Sequence, residues 1–198
     1  HGRLFELGIH PNFLPGSSHG VSPDEVLEHC MKLVPDAVSM RSHALVQSSG
    51  LLETVLRTTP ILVDVSVFLP RARNVMPVTF SLNGRGLLRI PYVWEDDYER
   101  CQTAPDWRPD LLLGGGGIAI FNFHPLHVFL NDSDLNSYEE AKHRAGGNLG
   151  ALSLSDAREL VSDREGPRTM LERLLPIVAA ATGGKRIRDI AAIGGSNV

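Results

Sequence analysis

The chain predicts an α/β fold with a largely parallel sheet or barrel. Three observations carry this. Short, β-prone apolar runs alternate with amphipathic helical stretches through the first half of the sequence. Several of those runs stop on a histidine, and in α/β folds chemistry gathers at the carboxyl ends of strands. The 198 residues are 42% hydrophobic, enough to bury a full core, so a single domain over 1–198 is the simplest organisation.

Bulk properties exclude several classes. The net charge of −4 with mixed signs leaves no basic footprint, which argues against nucleic acid as a partner. No apolar run approaches the roughly 20 residues a membrane span needs, and no signal peptide is visible. A cytoplasmic location is therefore expected. Cys30 and Cys101 are too few for a disulfide framework or a cysteine zinc site, and Cys30 falls on an apolar helix stripe.

The elements follow in order. Residues 4–10 read as an alternating strand ending on His10-Pro11, and residues 12–20 as a loop carrying His19. Ser22-Pro23-Asp24-Glu25 is a helix start: Ser22 can cap, Pro23 suits the first helical position and Glu25 completes a capping box. Val26, Leu27, Cys30, Met31 and Val34 form its inward stripe, with His29 beside it, and Pro35 ends it. Residues 37–40 predict a short strand that delivers Arg41-Ser42-His43. Residues 49–58 predict a helix with Leu51, Leu52, Val55 and Leu56 inward.

Residues 61–68 form a β-branched run interrupted by Asp64. A carboxylate there is costly unless paired or bound to a cation, so Asp64 is either a site residue or half of a salt bridge. Residues 71–85 read as irregular, with a short strand at 78–82, and 87–90 as a firmer strand. After it come Tyr92, Trp94, Glu95 and Asp96, two aromatics ahead of two acids, which suits either a sugar subsite or ordinary loop anchoring.

The central stretch is 118–131, IAIFNFHPLHVFLN. Gly114 to Gly117 punctuate the chain before it. An apolar strand over 118–123 ends on His124, Pro125 stops the pairing, and His127 follows three residues later. Both histidines could equally be hydrogen-bonded packing residues. Helices are expected over 138–144, 155–161 and 168–181, the last stopped by Gly183-Gly184, with one further turn at 187–193.

His10, His43 and His124 each follow an apolar strand. In a parallel sheet or barrel those ends share one face, so three imidazoles could converge. Neutral imidazole is a common ligand of zinc, and a catalytic zinc site keeps three protein ligands and one open position.

With these residues in view the sequence resembles the NodB-homology polysaccharide deacetylases, closest to their WbmS-like branch. Glu6-Leu7-Gly8-Ile9-His10 resembles the family's Glu-Ile-Gly-x-His segment. Arg41-Ser42-His43 lies where the family carries an arginine-containing motif, residues 61–64 fall near its acid-bearing strand, and residues 118–124 resemble the strand ending in its catalytic histidine. The likeness runs over roughly residues 3–145. Two departures stand out. Leu14 occupies the place of the second metal histidine, so His43 or His19 must replace it, His43 being preferred because it follows a strand. The family's Asp-Asp pair, expected on a strand ahead of His10, is absent, as if the chain began part-way into the fold.

The resemblance implies a deformed (β/α) barrel and hydrolysis of an N-acetyl group on a sugar of a polysaccharide or glycoconjugate by a metal-bound water, with zinc as the expected ion. It implies His10 and His43 as metal ligands and His124 as general acid to the leaving amine. Asp64, or an acid from the segment expected ahead of His10, would orient the histidine or act as base, and Arg41 would fix a carboxylate by a two-pronged hydrogen bond. Tyr92, Trp94, Glu95, Asp96 and His127 would contact the sugar, the two acids doubling as alternative ligands. The competing expectation is a carbohydrate-binding or scaffold protein that keeps this fold with reduced or no catalysis.

Overall fold

The computed structural model describes residues 5–113, 117–181 and 184–194. Leu4, Gly114, Gly115, Gly116 and Gly183, which the sequence reading used, lie outside them. The chain divides into two compact units. One comprises His1–Leu69, Asn74–Tyr92 and Lys185–Val198; the other comprises Pro70–Arg73 and Val93–Gly184.

The first unit holds a four-stranded sheet in the order β1-β2-β4-β3, with β1 Ser39–Met40, β2 Val63–Asp64, β3 Val78–Leu82 and β4 Arg85–Arg89. β1, β2 and β4 run parallel, and β3 returns antiparallel to β4. Two helices supply the rest of its core. α1 (Pro23–Leu33) begins as its sequence dictates: the Ser22 hydroxyl accepts from the Glu25 N–H at 3.3 Å, and the Glu25 carboxylate accepts from the N–H groups of Val21 and Ser22. α2 (Ser49–Thr58) has the expected bounds, with Ser48 capping Leu51. Leu27, Cys30, Leu52, Val55 and Leu56 from the helices meet Ile9, Ala37, Met40, Ile61 and Leu87.

Two expectations are revised here. The strand foreseen over 4–10 is reduced to a single parallel bridge, Ile9 to Met40, with Ile9 buried and Phe5 and Leu7 exposed. Of the run 61–68 only Val63–Asp64 joins the four-stranded sheet: the Asp64 side chain accepts the Ser66 N–H at 2.9 Å and diverts the backbone just past the strand, and Phe68 then makes a separate parallel bridge to Tyr92. In the opposite sense, residues 78–89 are more ordered than foreseen. Asn83 and Gly84, with φ of 50° and 78°, close a tight hairpin between β3 and β4.

The second unit is built on a two-stranded parallel sheet, β5 (Trp94–Glu95) and β6 (Phe121–Asn122), in the register Trp94 to Phe121 and Glu95 to Asn122. The strand expected over 118–123 is thus shorter. Its helices are α3 (Asp96–Glu99), α4 (Asp110–Leu113), α5 (Pro125–Leu130), α6 (Asn136–Arg144), α7 (Leu154–Glu159) and α8 (Pro167–Ala180). α9 (Ile187–Gly194) belongs to the first unit. Trp94, Trp107 and Met170 form the buried centre, with Leu112, Phe121 and Phe123 against them.

The class is mixed α/β, as the alternation predicts. Among the described residues no closed barrel forms, since the strands fall into separate sheets of four and two and one pair is antiparallel.

Candidate metal and proton-transfer site

In the second unit two parallel strands stop side by side, tied by the Asn122 amide donating to Glu95 at 2.8 Å. Each strand passes directly into a short helix. α3 opens on Asp96 and Asp97. α5 is entered through His124, with Pro125 at its first position and His127 in its first turn. Strand ends in register therefore bring two acids and two imidazoles together, and one atom from each of Asp96, Asp97, His124 and His127 lies within 4.8 Å of the others.

Asp96 is fully buried. Its Oδ1 receives His124 Nδ1 at 2.6 Å and the Asp97 N–H at 2.8 Å, and its Oδ2 receives the His124 backbone N–H at 2.6 Å. Burial alone would raise its pKa; the hydrogen bonds from the His124 side chain and backbone, with the His127 ring close by, outweigh that and hold it at about 2. Asp96 is therefore a carboxylate at any physiological pH. With Nδ1–H committed to Asp96, the His124 ring is fixed in tautomer and orientation.

His127 is buried and its Nδ1 makes no hydrogen bond. The nearest carboxylate oxygens are those of Asp96 at 3.5 Å and Asp97 at 3.6 Å. An unpaired buried ring nitrogen facing two carboxylates is costly unless something bridges them, and the spacing suits donors arranged around one divalent ion. The remaining surroundings are braced. Arg100 donates to Asp97 through Nη2 at 2.8 Å and Nε at 3.2 Å, and pairs with buried Asp132 through Nη1. Tyr138 lies under the Arg100 guanidinium and edge-on to His127, with ring centres 4.9 Å apart.

The first unit brings His10 and His43 together. His10 Nδ1 lies 2.6 Å from the Arg41 carbonyl, so it carries the proton and the lone pair stays on Nε2, which is 3.3 Å from His43 Nδ1. Two nitrogens each bound at 2.0–2.1 Å to a tetrahedral zinc lie roughly 3.3 Å apart, so the pair has the span of one edge of such a site. Asp64, fully buried, pairs with Arg89 at 2.8 Å, the salt-bridge alternative of its two readings. It also accepts the Ser66 hydroxyl, and that hydroxyl oxygen takes the Ser42 N–H at 2.8 Å, so Asp64 braces the Arg41-Ser42-His43 turn. The Arg41 guanidinium lies 5.9 Å from the centre of the Tyr92 ring. His19 stacks on His29, and its Nδ1 lies 3.3 Å from the Asn12 N–H and 3.6 Å from the Cys30 thiol.

Tyr92 and Trp94 are core aromatics rather than an open platform. Tyr92 stacks on Phe68 at 4.6 Å, and Trp94 is packed among Trp107, Phe121 and Phe123; they are 1% and 2% exposed. The acid that orients His124 is Asp96, where the sequence reading looked to Asp64 or to a segment ahead of His10. Sequence reasoning passed over Asp97, Arg100 and Asp132. The available signal was the Asp96-Asp97 pair directly after the strand Trp94–Glu95.

The family model described as WbmS-like polysaccharide deacetylase matches residues 1–142. The structure is similar to a crystal structure from Bordetella bronchiseptica, WbmS, described as a polysaccharide deacetylase involved in O-antigen biosynthesis. The TM-score is 0.71 with 30% sequence identity, over 87% of this chain and 70% of that one. No curated protein matches the chain.

Proposed function

Because the chain belongs to the WbmS-like family of polysaccharide deacetylases, we propose that it is a metal-dependent hydrolase that removes an N-acetyl group from a sugar of a polysaccharide or glycoconjugate, in the assembly of a surface polysaccharide. The observation that carries this is the carboxylate-oriented imidazole of His124 beside Asp97 and the unpaired buried nitrogen of His127.

Asp96, Asp97 and His127 are the residues that would hold the ion, three protein ligands of oxygen and nitrogen as a catalytic zinc site requires. A divalent ion at such a site supplies a lowered pKa for water and a polarised acyl carbonyl. The chain's own residues do the rest. His124 holds a proton on Nε2 and delivers it to the departing amine, while Asp96 keeps Nδ1–H in place and stabilises the imidazolium before transfer. Arg100 holds the Asp97 carboxylate, which is 44% exposed, in place. This assignment moves His127 and Asp96 from sugar contact to the metal. In the first unit we assign His10 and His43 as a second ligand pair, with Asp64 acting through Ser66 to hold their turn.

The test is release of acetate from a panel of N-acetylated sugars and oligosaccharides by the zinc-loaded protein, with and without prior chelation. Chelator-sensitive release supports the hydrolase. Binding of the same sugars with no acetate release in either state overturns it in favour of a sugar-binding role.

A further inference from the structure

α5 is only six residues long, too short to hold its geometry unaided, yet it carries His127 and is entered through His124. Its fixity comes from α8, which lies beyond the residues matched by the family model. Asn131 ends α5 in the left-handed region, at φ 51° and ψ 43°, and is 6% exposed. Its side-chain oxygen accepts the N–H groups of Arg168 at 3.1 Å and Thr169 at 3.4 Å, in the first turn of α8. That is the work of an N-cap side chain, and the residue in the cap position is Gly166, which has none. The Asn131 amide nitrogen donates to the carbonyls of Arg164 at 2.6 Å and Ser162 at 3.3 Å, so all four of its hydrogen-bonding positions are used.

The contact is returned. Arg168 Nε donates to the Val128 carbonyl at 3.2 Å and its Nη2 to the Phe129 carbonyl, while the Ser162 N–H donates to the Leu130 carbonyl at 2.8 Å. The Phe129 and Leu130 carbonyls at the end of α5, which a free helix would leave to water, are taken by the chain around α8, and the Val128 carbonyl, which also accepts the Asn131 N–H at 3.3 Å, gains a second donor. Close approach is what makes this possible: a Cβ on Gly166 would stand 2.5 Å from the Asn131 carbonyl oxygen.

We propose that Asn131 and Arg168 are positioning residues that hold α5 so that His127 stays within ligand reach of Asp96 and Asp97. This rests on the metal site proposed above. Asparagine is specified because aspartate would present charge to two carbonyls and lose both donors, while alanine would lose all four bonds.

Zinc affinity tests it. Purified wild type, Asn131→Ala, Arg168→Lys and Asp96→Asn are titrated with zinc against a chromophoric chelator, at a temperature where circular dichroism shows each folded. The zinc removed by Asp96→Asn defines the site. Asn131→Ala is expected to weaken that site by tenfold or more, as loss of groups that orient ligands does. Arg168→Lys, which keeps one donor, is expected to fall between it and wild type. Should Asn131→Ala not fold, the Arg168→Lys value decides alone. Wild-type zinc affinity in both variants, with only a lowered melting temperature, makes the clamp purely structural and overturns the proposal. Equal zinc binding by wild type and Asp96→Asn overturns instead the metal site beneath it, and the proposal with it.

Discussion

Asp96 makes the acid stability of this protein predictable. Its pKa is held at about 2 against an ordinary 3.8, burial opposing the shift and the His124 hydrogen bonds, with the His127 ring close by, overcoming it. A carboxyl whose folded pKa lies below its unfolded one stabilises the fold above the unfolded value. That contribution fades as pH falls through the folded value, so the window runs from about 4 down to about 2. The gap corresponds to about 2 kcal/mol. Asp96→Asn removes the titration. It also leaves one acceptor where three N–H groups converge, a cost that does not depend on pH. Urea unfolding of wild type and Asp96→Asn, in chelator and at steps from pH 6 to pH 2, separates the two effects. The gap between the proteins should shrink by about 2 kcal/mol across the window, all other carboxyls being common to both. A gap that stays constant from pH 6 to pH 2 would refute the depressed pKa and with it the account of Asp96 as a permanently charged partner of His124.

Three other outcomes follow from the same geometry. His124→Ala is expected to cut acetate release by about 100-fold or more, and His10→Ala to reduce it, both with an unchanged circular dichroism spectrum; full turnover in both variants would sink the site assignment. Arg100→Ala strands Asp132, which is wholly buried, and should lower unfolding free energy by about 3 kcal/mol in denaturant titration. Ser22→Ala removes the cap of α1 and should cost about 1 kcal/mol of unfolding free energy in the same titration.

How much of this was legible in the sequence depended on the range of the interaction involved. Ser22 through Glu25 and Ser49 through Thr58 were readable almost to the residue, because capping and helical periodicity are decided within a few positions. The hairpin at Asn83-Gly84 carries its signal too, a dipeptide suited to two positive φ values, set within a stretch that otherwise reads as irregular. Strand length was not legible. The apolar runs 61–68 and 118–123 each yield a strand of only two residues, with Phe68 adding a single bridge to Tyr92, since pairing stops where a partner strand stops or where a side chain such as Asp64 captures the backbone. The site divides the same way. His124 and His127 could be singled out from their place after a β-prone run, but nothing local says that the run pairs in register with Trp94-Glu95, and it is this register that hands His124 to Asp96. Asp64 shows the converse: one buried acid on a strand has the same local signature whether it reacts or braces, and only Arg89, 25 residues away, settles how its charge is met. The clamp at Asn131 was the least accessible, because its partners lie 31 to 38 positions further along the chain. Residues that do chemistry announce themselves by type and by place at a strand end, whereas those that hold them in position are defined by pairings across the fold. A variant series confined to the histidines and acids would therefore leave α8 unexamined.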